Sequence, residues 1–347
     1  MDISLFDYYL PKGFIAQEPI EPRDHSRLLI LNRKTGVIEH KHFYDIINYL
    51  SDNDVLVFND SKVVPARLCG KKIPSNGKAE ILLIRPENKE VFNFIFWPQR
   101  WMIIGKPELK IGQVIEFSKT LNGKIEEKLN YERIICFNKQ GEELKKEILS
   151  LGQAPLPPYI TKPTQRSFEE YQTIYAEKHG SIAAPTAGFH FTKDLLDQIR
   201  AKKIQLEFVT LYIGLGTFLP VKVQNIEDHQ MHSEFFELNL ETAQRLNQAK
   251  KGGKRIIAVG TTAVRVLETC VQNSELKSKQ NWTNLFIYPG YEFKFVDALI
   301  TNFHLPKSTL LMLVSAFATK DLIFKAYKQA IDKKYRFFSF GDAMLIK

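Results

Sequence analysis

The second half of the chain alternates between short apolar runs and stretches in which apolar residues recur at helical spacing. The apolar runs predict strands at LEFVTLYIG, RIIAVG, LFIYP, DALITNF and RFFSFGDAMLI. Helices are predicted at 193–203, 241–251 and 264–270. A further helix follows Pro306, where Ser308 or Thr309 can cap it. This alternation of strands and helices indicates an α/β domain.

A different pattern occupies the chain from residue 66 to about residue 139. Its β segments ARLCGKK, AEILLIR, VFNFIFWP, QVIEF and ERIICF are separated by turns, and Asn76-Gly77 and Asn122-Gly123 are hairpin signals. The α/β pattern begins before this stretch, at RLLILN, VIEHKHF and VLVF, and resumes after the predicted helix GEELKKEILSLG. We therefore predict a discontinuous α/β main domain at 1–65 and 150–347, with a small all-β, barrel-like domain inserted at 66–149.

Composition agrees with two globular domains, since the chain has 347 residues and is 44% hydrophobic. The net charge of +9 permits a polyanionic partner, but the lysines are scattered and equally suit a solvated surface. Cys69, Cys136 and Cys270 form no CxxC pair, so neither a disulfide framework nor a zinc site is expected. With no signal-peptide pattern and no apolar run long enough for a membrane span, a cytoplasmic location is predicted.

Polar residues gather at the ends of the predicted strands, where α/β sheets bind ligands. Gly260-Thr261-Thr262 leads from a strand into a helix, so its N–H groups suit a carboxylate or phosphate, although a capped turn that binds nothing is as probable. Gly214 and Gly216 allow either close approach of a ligand or a tight turn. Further polar residues at predicted strand ends are Asp60, Asn302, His304, Lys307, Ser308 and Asp342.

Two motifs carry histidines. His190 in APTAGFHFT precedes the predicted helix that Thr192 caps, and it is either a structural residue or an acid/base group. The motif EDHQMHSE contains His229, His232 and Glu234, whose H-x-x-H spacing can bind zinc on a helix. No third ligand follows at a supportive distance, so metal binding is the less favoured interpretation. A histidine close to a carboxylate also suits acid/base chemistry.

Taken together, the motifs resemble the S-adenosylmethionine:tRNA ribosyltransferase-isomerases of queuosine biosynthesis. They are EPRDHSRLL, VFND, PLPPYI, APTAGFHFT, GLGTF, DHQMHSE, AVGTTAVRVLE, the stretch from FIYPGY to LVSAF, and GDAML. The resemblance covers essentially the whole chain in the family's order, and the set is highly specific although each motif alone is weak.

This resemblance implies an α/β domain interrupted by a small β-barrel. It also implies transfer and isomerisation of the ribosyl part of S-adenosylmethionine onto 7-aminomethyl-7-deazaguanine at the tRNA wobble position. The products are epoxyqueuosine-tRNA, adenine and methionine. The implied partners are S-adenosylmethionine and tRNA, with no membrane, and a monomer is favoured. No metal and no cofactor beyond the cosubstrate is expected.

The resemblance also implies site residues. The acid/base candidates are His190, His232, Glu234 and Asp297, with Asp342 as a second choice. The expected cosubstrate-binding residues are Gly214, Gly216, Thr217, Gly260, Thr261, Thr262, Arg265 and Tyr288. The helix N-terminus or Arg265 would take the methionyl carboxylate, and Tyr288 or Phe189 would stack on a base. Two residues depart from the family pattern: Lys62 replaces an arginine, and Tyr212 stands where a histidine is common.

Two other functions compete with this one. Another S-adenosylmethionine-dependent RNA-modifying enzyme, such as a methyltransferase, would be expected to carry a G-x-G-x-x-G loop after an early strand, which this sequence lacks. A non-catalytic RNA-binding protein would be expected to show a basic stripe with interleaved aromatic residues. The polar residues at strand ends favour an enzyme.

Overall fold

A computed structural model of the chain describes residues 1–88, 97–157, 159–160, 167–214 and 221–347. These residues form a nine-stranded sheet flanked by helices and a closed six-stranded barrel. The predicted fold class, an α/β domain with an inserted all-β barrel, is therefore confirmed. None of the helices in the described ranges combines the length and hydrophobicity that a membrane span requires.

The large sheet has the strand order β17-β13-β12-β3-β14-β18-β19-β1-β2. Its strands are β1 (Arg27–Leu31), β2 (Ile38–His42), β3 (Asp54–Asn59), β12 (Gln205–Leu211), β13 (Glu234–Leu238), β14 (Arg255–Val259), β17 (Lys279–Thr283), β18 (Ala298–Asn302) and β19 (Ala343–Ile346).

The directions of these strands bring several chain segments to one edge. Strands β12, β3, β14 and β18 are parallel, so they end at the same edge. Strand β19 is antiparallel to β18, and β1 is parallel to β19, so both of these begin there. Strand β13 also begins there, because it is antiparallel to β12. We call this the carboxyl edge and the opposite one the amino edge.

Helices cover both faces of the sheet. All six residues of β3 are buried, as expected for a central parallel strand. Its Val55 and Val57 belong to one hydrophobic cluster, whereas Leu56 and Phe58 belong to another on the opposite face. The α-helices are α1 (Gly141–Leu151), α2 (Ser167–Glu170), α3 (Lys193–Ala201), α4 (Leu240–Lys251), α5 (Thr261–Cys270), α6 (Thr309–Ala318) and α7 (Lys320–Asp332). Short 3₁₀ helices span Ile3–Phe6, Arg23–His25, Phe43–Tyr49, Thr186–His190 and Ile226–Asp228.

The barrel closes in the order β10-β7-β6-β5-β8-β9. Its strands are β5 (Arg67–Ile73), β6 (Lys78–Pro86), β7 (Arg100–Lys106), β8 (Val114–Glu116), β9 (Asn122–Leu129) and β10 (Glu132–Phe137). Its core contains the buried side chains of Trp97 and Trp101, and Tyr212 of the main domain joins that core. The chain enters and leaves the barrel side by side, because Arg67 and Gln153 form an antiparallel bridge. The domain limits at 66 and 149 remain a prediction.

Two small sheets complete the fold. Strand β4 (Ser61–Val63) pairs in parallel with β11 (Lys178–Ser181). Strands β15 (Val271–Gln272) and β16 (Glu275–Leu276) form a hairpin. The polar segment NSELKSKQN contains β16 and the beginning of β17.

Two predicted β features are wrong. LFIYP is irregular at residues 284–288, and the carbonyl of Leu285 accepts a hydrogen bond from Arg265 Nε at 3.1 Å. Asn122-Gly123 is not a turn but the beginning of β9. A Cβ atom on Gly123 would lie 2.7 Å from Cδ1 of Ile135, so glycine serves close packing there.

The barrel contains two strands that were not predicted, β7 and β9. Strand β9 is mostly polar, so no apolar run marks it in the sequence. The predicted strand VFNFIFWP lies largely in 89–96, outside the described residues. The last strand covers only Ala343–Ile346.

Candidate active site

A cavity lies at the carboxyl edge, and we call it the edge pocket. Among its lining residues are Gly260, Thr261 and Thr262, which were predicted to bind a cosubstrate. The described residues that line it are Tyr159, Tyr171, Ala183, Ala184, Pro185, Thr186, Ala187, Ile213, Gly260, Thr261, Thr262, Thr301, Asn302, His304, Leu310, Phe338 and Ser339.

The turn from β14 into α5 forms one wall of the edge pocket. Gly260 has φ +91° and ψ 152°, a conformation that other residues adopt only with strain. Its N–H donates to the carbonyl of Ile300 at 2.8 Å, which ties the turn to β18. The buried hydroxyl of Thr262 has no hydrogen-bond partner among the described residues. The turn therefore brings a free hydroxyl to the pocket.

His190 lies in a buried hydrogen-bond chain beside the edge pocket. Its Nε2 lies 3.1 Å from Nδ2 of Asn302, and its Nδ1 lies 2.6 Å from the hydroxyl of Ser26. Because an amide nitrogen can only donate, Nε2 accepts, and Nδ1 therefore carries the hydrogen and donates to Ser26. The Oδ1 atom of Asn302 accepts from Thr186 at 2.9 Å. Burial lowers the pKa of His190 to about 3, so the ring is neutral near pH 7.

Glu234 and Arg265 form a buried ion pair at the beginning of β13. Oε1 of Glu234 accepts from the N–H of Gly214 at 2.9 Å, and Oε2 accepts from Nη1 of Arg265. The guanidinium also donates to the carbonyls of Thr283 and Leu285, each at 3.1 Å. All three guanidinium nitrogens therefore bind protein groups. The structure places Arg265 on Glu234 rather than in an open position for a ligand carboxylate.

The second predicted histidine motif lies nearer the surface. His232 is exposed, two residues before Glu234. The ring of His229 packs edge-on against Phe286, with centroids 5.3 Å apart, and burial lowers its pKa. In the described ranges, no group of three histidine, cysteine or acidic side chains is arranged to hold a metal ion.

Asp297 lies at the amino edge, immediately before β18. Five residues of strand separate it from the carboxyl edge, a distance of roughly 16 Å. Its carboxylate accepts from Nζ of Lys250 at 2.7 Å and from the N–H of Ile256 at 2.8 Å. The structure therefore does not bring Asp297 together with the other acid/base candidates.

Asp342 lies at the carboxyl edge, but its carboxylate binds backbone groups of the protein itself. Its two oxygens accept from the backbone N–H groups of Arg27 and Arg336, each at 2.8 Å. Burial raises its pKa, and the two hydrogen bonds oppose that effect. The side chain fixes the turn that leads into β19.

The aromatic and loop candidates are placed as follows. Tyr288 is half-buried, and its ring lies 5.0 Å from that of Phe286. Phe189 is buried and stacks on Phe340, beside a second, smaller cavity that His190 also lines. Gly216 and Thr217 lie outside the described residues.

Comparison with known proteins identifies the family of this chain. The family described as "Queuosine biosynthesis protein" matches residues 3–346. The chain belongs to this queuosine biosynthesis family. It is similar to proteins named "S-adenosylmethionine:tRNA ribosyltransferase-isomerase" from Staphylococcus haemolyticus, at 51% identity, and Halothermothrix orenii, at 50%. Both similarities cover 100% of each chain.

A solved structure of the family is also similar. It is the crystal structure of S-adenosylmethionine tRNA ribosyltransferase from Thermotoga maritima, with 39% identity and a TM-score of 0.57. The similarity covers 99% of this chain and 100% of that one. The family resemblance predicted from the motifs is therefore confirmed.

One residue that departs from the queuosine biosynthesis family pattern has a structural role. The hydroxyl of Tyr212 donates to Glu237 at 3.1 Å, and its ring packs in the barrel core. The residue therefore joins the two domains.

Residues outside the predicted catalytic and cosubstrate-binding sets also lie at the carboxyl edge. His304 lines the edge pocket, its Nε2 lies 2.9 Å from the hydroxyl of Thr301, and burial lowers its pKa to about 3. The motif NFHLPKS marked His304 and Asn302 as polar strand-end residues, without assigning a chemical role to either. No sequence pattern identified Ser26 as a partner of His190, since the two residues lie 164 positions apart in the chain.

Proposed function

We propose that this chain transfers and isomerises the ribosyl part of S-adenosylmethionine onto 7-aminomethyl-7-deazaguanine in tRNA. The product is epoxyqueuosine-tRNA, with release of adenine and methionine. The observation that carries this proposal is the similarity, over the whole chain, to relatives that bear the ribosyltransferase-isomerase name. The buried polar groups at the carboxyl edge support it, because they lie where α/β sheets bind substrates.

The proposed reaction begins with loss of a proton at C5′ of the cosubstrate, which the neighbouring sulfonium acidifies. We assign Glu234 as the base. Its carboxylate is held in place by Arg265 and by the N–H of Gly214. Arg265 lies one turn along α5 from Thr261 and Thr262, which line the edge pocket. The carboxylate is thus fixed beside the place proposed for the cosubstrate.

His190 has a different proposed role. A neutral imidazole whose pKa is about 3 is a weak base near pH 7, so His190 orients the amide of Asn302 instead of accepting a substrate proton. The exposed His232 remains the second acid/base candidate, since it lies two residues before Glu234 in the chain and is open to solvent. Asp297 and Asp342 are not assigned catalytic roles.

The cosubstrate is proposed to bind against the Gly260–Thr262 turn and the backbone at Gly214. The chemistry needs S-adenosylmethionine and no metal or redox cofactor. The net charge of +9 suits a tRNA partner. We further propose that the enzyme acts as a monomer in the cytoplasm, where its tRNA substrate is found.

Mass spectrometry of the tRNA distinguishes this function from a methyltransferase. The substrate is tRNA that carries the aminomethyl base, incubated with the enzyme and S-adenosylmethionine. Ribosyl transfer adds a five-carbon unit to the wobble nucleoside, whereas methylation adds a single methyl group.

A further inference from the structure

The edge pocket has an unusual lining for a site that handles a charged cosubstrate. None of its described lining residues is Asp, Glu, Lys or Arg. The one histidine, His304, is neutral near pH 7 because burial lowers its pKa to about 3. Aromatic rings and small apolar side chains make up most of the wall, including Tyr159, Tyr171 and Phe338. Such a wall suits an uncharged flat ring and disfavours an ammonium or carboxylate group.

Hydrogen-bond donors are available on this wall. Asn302 is 3% exposed, and its amide is fixed at both ends by His190 and Thr186. These two contacts use one amide hydrogen and one oxygen lone pair, so a second N–H is left. The hydroxyl of Thr262 is buried without a partner in the described structure. A ligand that supplies acceptors would satisfy both groups.

The proposed reaction brings two heteroaromatic bases to the site. A guanine-type base carries an O6 acceptor, but its ring N–H and its amino group also need carbonyl or carboxylate acceptors, and none of the described lining residues is Asp or Glu. Adenine presents several accepting ring nitrogens, with its amino group as the one donor on the ring edge that S-adenosylmethionine leaves free. Because the free groups on the wall include the second N–H of Asn302 and the hydroxyl of Thr262, adenine is the better match.

We propose that the edge pocket binds the adenine ring of S-adenosylmethionine, with Asn302 and Thr262 donating to its ring nitrogens. This assignment rests on the proposed function, which supplies the cosubstrate. It makes His190 a positioning residue, since its acceptor nitrogen holds the Asn302 amide in the orientation that leaves the second N–H free. It also leaves the carboxylates of the site, Glu234 above all, outside the base-binding pocket.

The test measures binding of adenine itself to the full chain by calorimetry. Thr262→Val keeps the shape of the side chain and removes its hydroxyl, so affinity for adenine should fall about 5- to 10-fold. Asn302→Asp replaces the donor by a second acceptor, so affinity for adenine should fall by about 10-fold or more. On the wild-type chain, 3-deazaadenine or 7-deazaadenine should bind more weakly than adenine, a comparison that needs no variant to fold.

Matched control variants lie away from the pocket. Thr269→Val removes a hydroxyl from the same helix, where it contacts Thr283 at 2.8 Å. Asn247→Asp changes an amide on α4 that bonds to the backbone of Leu276. Both controls should bind adenine within about twofold of wild type, given the spread expected for distant sites.

Three results would overturn the assignment. The first is no binding of adenine by the wild-type chain. The second is that the Thr262→Val and Asn302→Asp variants bind adenine as tightly as wild type does. The third is that the wild-type chain binds adenine and both deaza analogues with equal affinity. Failure of the proposed function looks different. If adenine binds as expected but no adenine is released from S-adenosylmethionine, the pocket assignment stands and the reaction does not. If adenine is released yet binds independently of Thr262 and Asn302, the reaction stands and the pocket assignment does not.

Discussion

Glu234 and Arg265 form an ion pair in which the two side chains are 4% and 5% exposed. The pair joins the beginning of β13 to the first turns of α5, and both elements meet at the carboxyl edge. Loss of one member of a buried pair leaves an unpaired charge and typically costs about 3–5 kcal/mol. The pair therefore fixes the orientation of the carboxylate and links the proposed base to the fold.

Replacement of Glu234 by glutamine should lower turnover by roughly 10²–10⁴-fold, because the amide keeps the shape and loses the basicity. Single-turnover rates measured on the folded fraction separate this effect from the expected loss of stability. Glu237→Gln is the matched control, since Glu237 lies in the same strand and pairs with Lys178 at 2.9 Å. A Glu234→Gln enzyme with near-normal turnover would move the role of base to His232.

Acid should destabilise the protein through His190 and His304. Burial lowers both pKa values to about 3, whereas a histidine in the unfolded chain has a pKa near 6.5. Between these values the unfolded state binds more protons, so stability is fully present above about pH 6.5 and is lost as the pH falls toward 3. Each histidine contributes a slope of about 1.4 kcal/mol per pH unit within that window.

Denaturant unfolding of wild type and His304→Gln between pH 4 and pH 6 measures this slope. For the variant, the slope of the unfolding free energy against pH should be smaller than that of wild type by about 1.4 kcal/mol per pH unit. For a His190→Gln/His304→Gln double variant, the slope should be smaller by about twice that amount. Parallel plots for the three proteins would contradict neutral, buried histidines.

Asp297→Asn should leave turnover within about twofold of wild type, because residue 297 lies at the amino edge, away from the proposed chemistry. Stability should fall by about 1 kcal/mol, since the pair with Lys250 is about one-third exposed and such pairs contribute little. Thermal unfolding and turnover measured on the same sample check both statements. A hundredfold loss of turnover in a stable variant would return Asp297 to the catalytic group.

The main elements of the fold were predictable because their apolar spacing and caps are local. Strands β14 and β18 follow the predicted runs. Thr192 and Ser308 cap α3 and α6 by accepting from backbone N–H groups three residues on, each at 3.2 Å. LFIYP was misassigned because the carbonyl of Leu285 bonds to the distant Arg265. Apolar content alone does not identify the partner of a backbone group.

The site was predictable only in part, for a related reason. The Gly260–Thr262 turn lies where its own strand ends, so local sequence placed it at the carboxyl edge. The contact of His190 with Ser26 depends on β1 lying next to β19, which is a property of the topology. Likewise, the pairing of Arg265 with Glu234 depends on β13 running antiparallel to β12. A spacing pattern contains neither relationship.

The barrel should be removable without loss of the main domain. Arg67 and Gln153 exchange backbone hydrogen bonds of 3.3 Å and 2.8 Å, so a short Gly/Ser linker in place of residues 68–151 spans the gap. The shortened chain retains Gly152, because the Cβ atom of any other residue at this position would lie 1.9 Å from the carbonyl oxygen of Pro65. The shortened chain should unfold in one cooperative transition at lower temperature than wild type, since Tyr212 loses its barrel contacts. A broad transition without cooperativity would count against the inserted-domain boundaries.

The most direct test of the proposed reaction is the ratio of small-molecule products. The enzyme is incubated with S-adenosylmethionine and tRNA carrying the aminomethyl base, and adenine, methionine and modified tRNA are quantified together. Cleavage of both the glycosidic bond and the C5′–sulfur bond predicts equal amounts of all three. S-adenosylhomocysteine as the main product, with adenine still attached and a methyl group on the tRNA, would contradict ribosyl transfer.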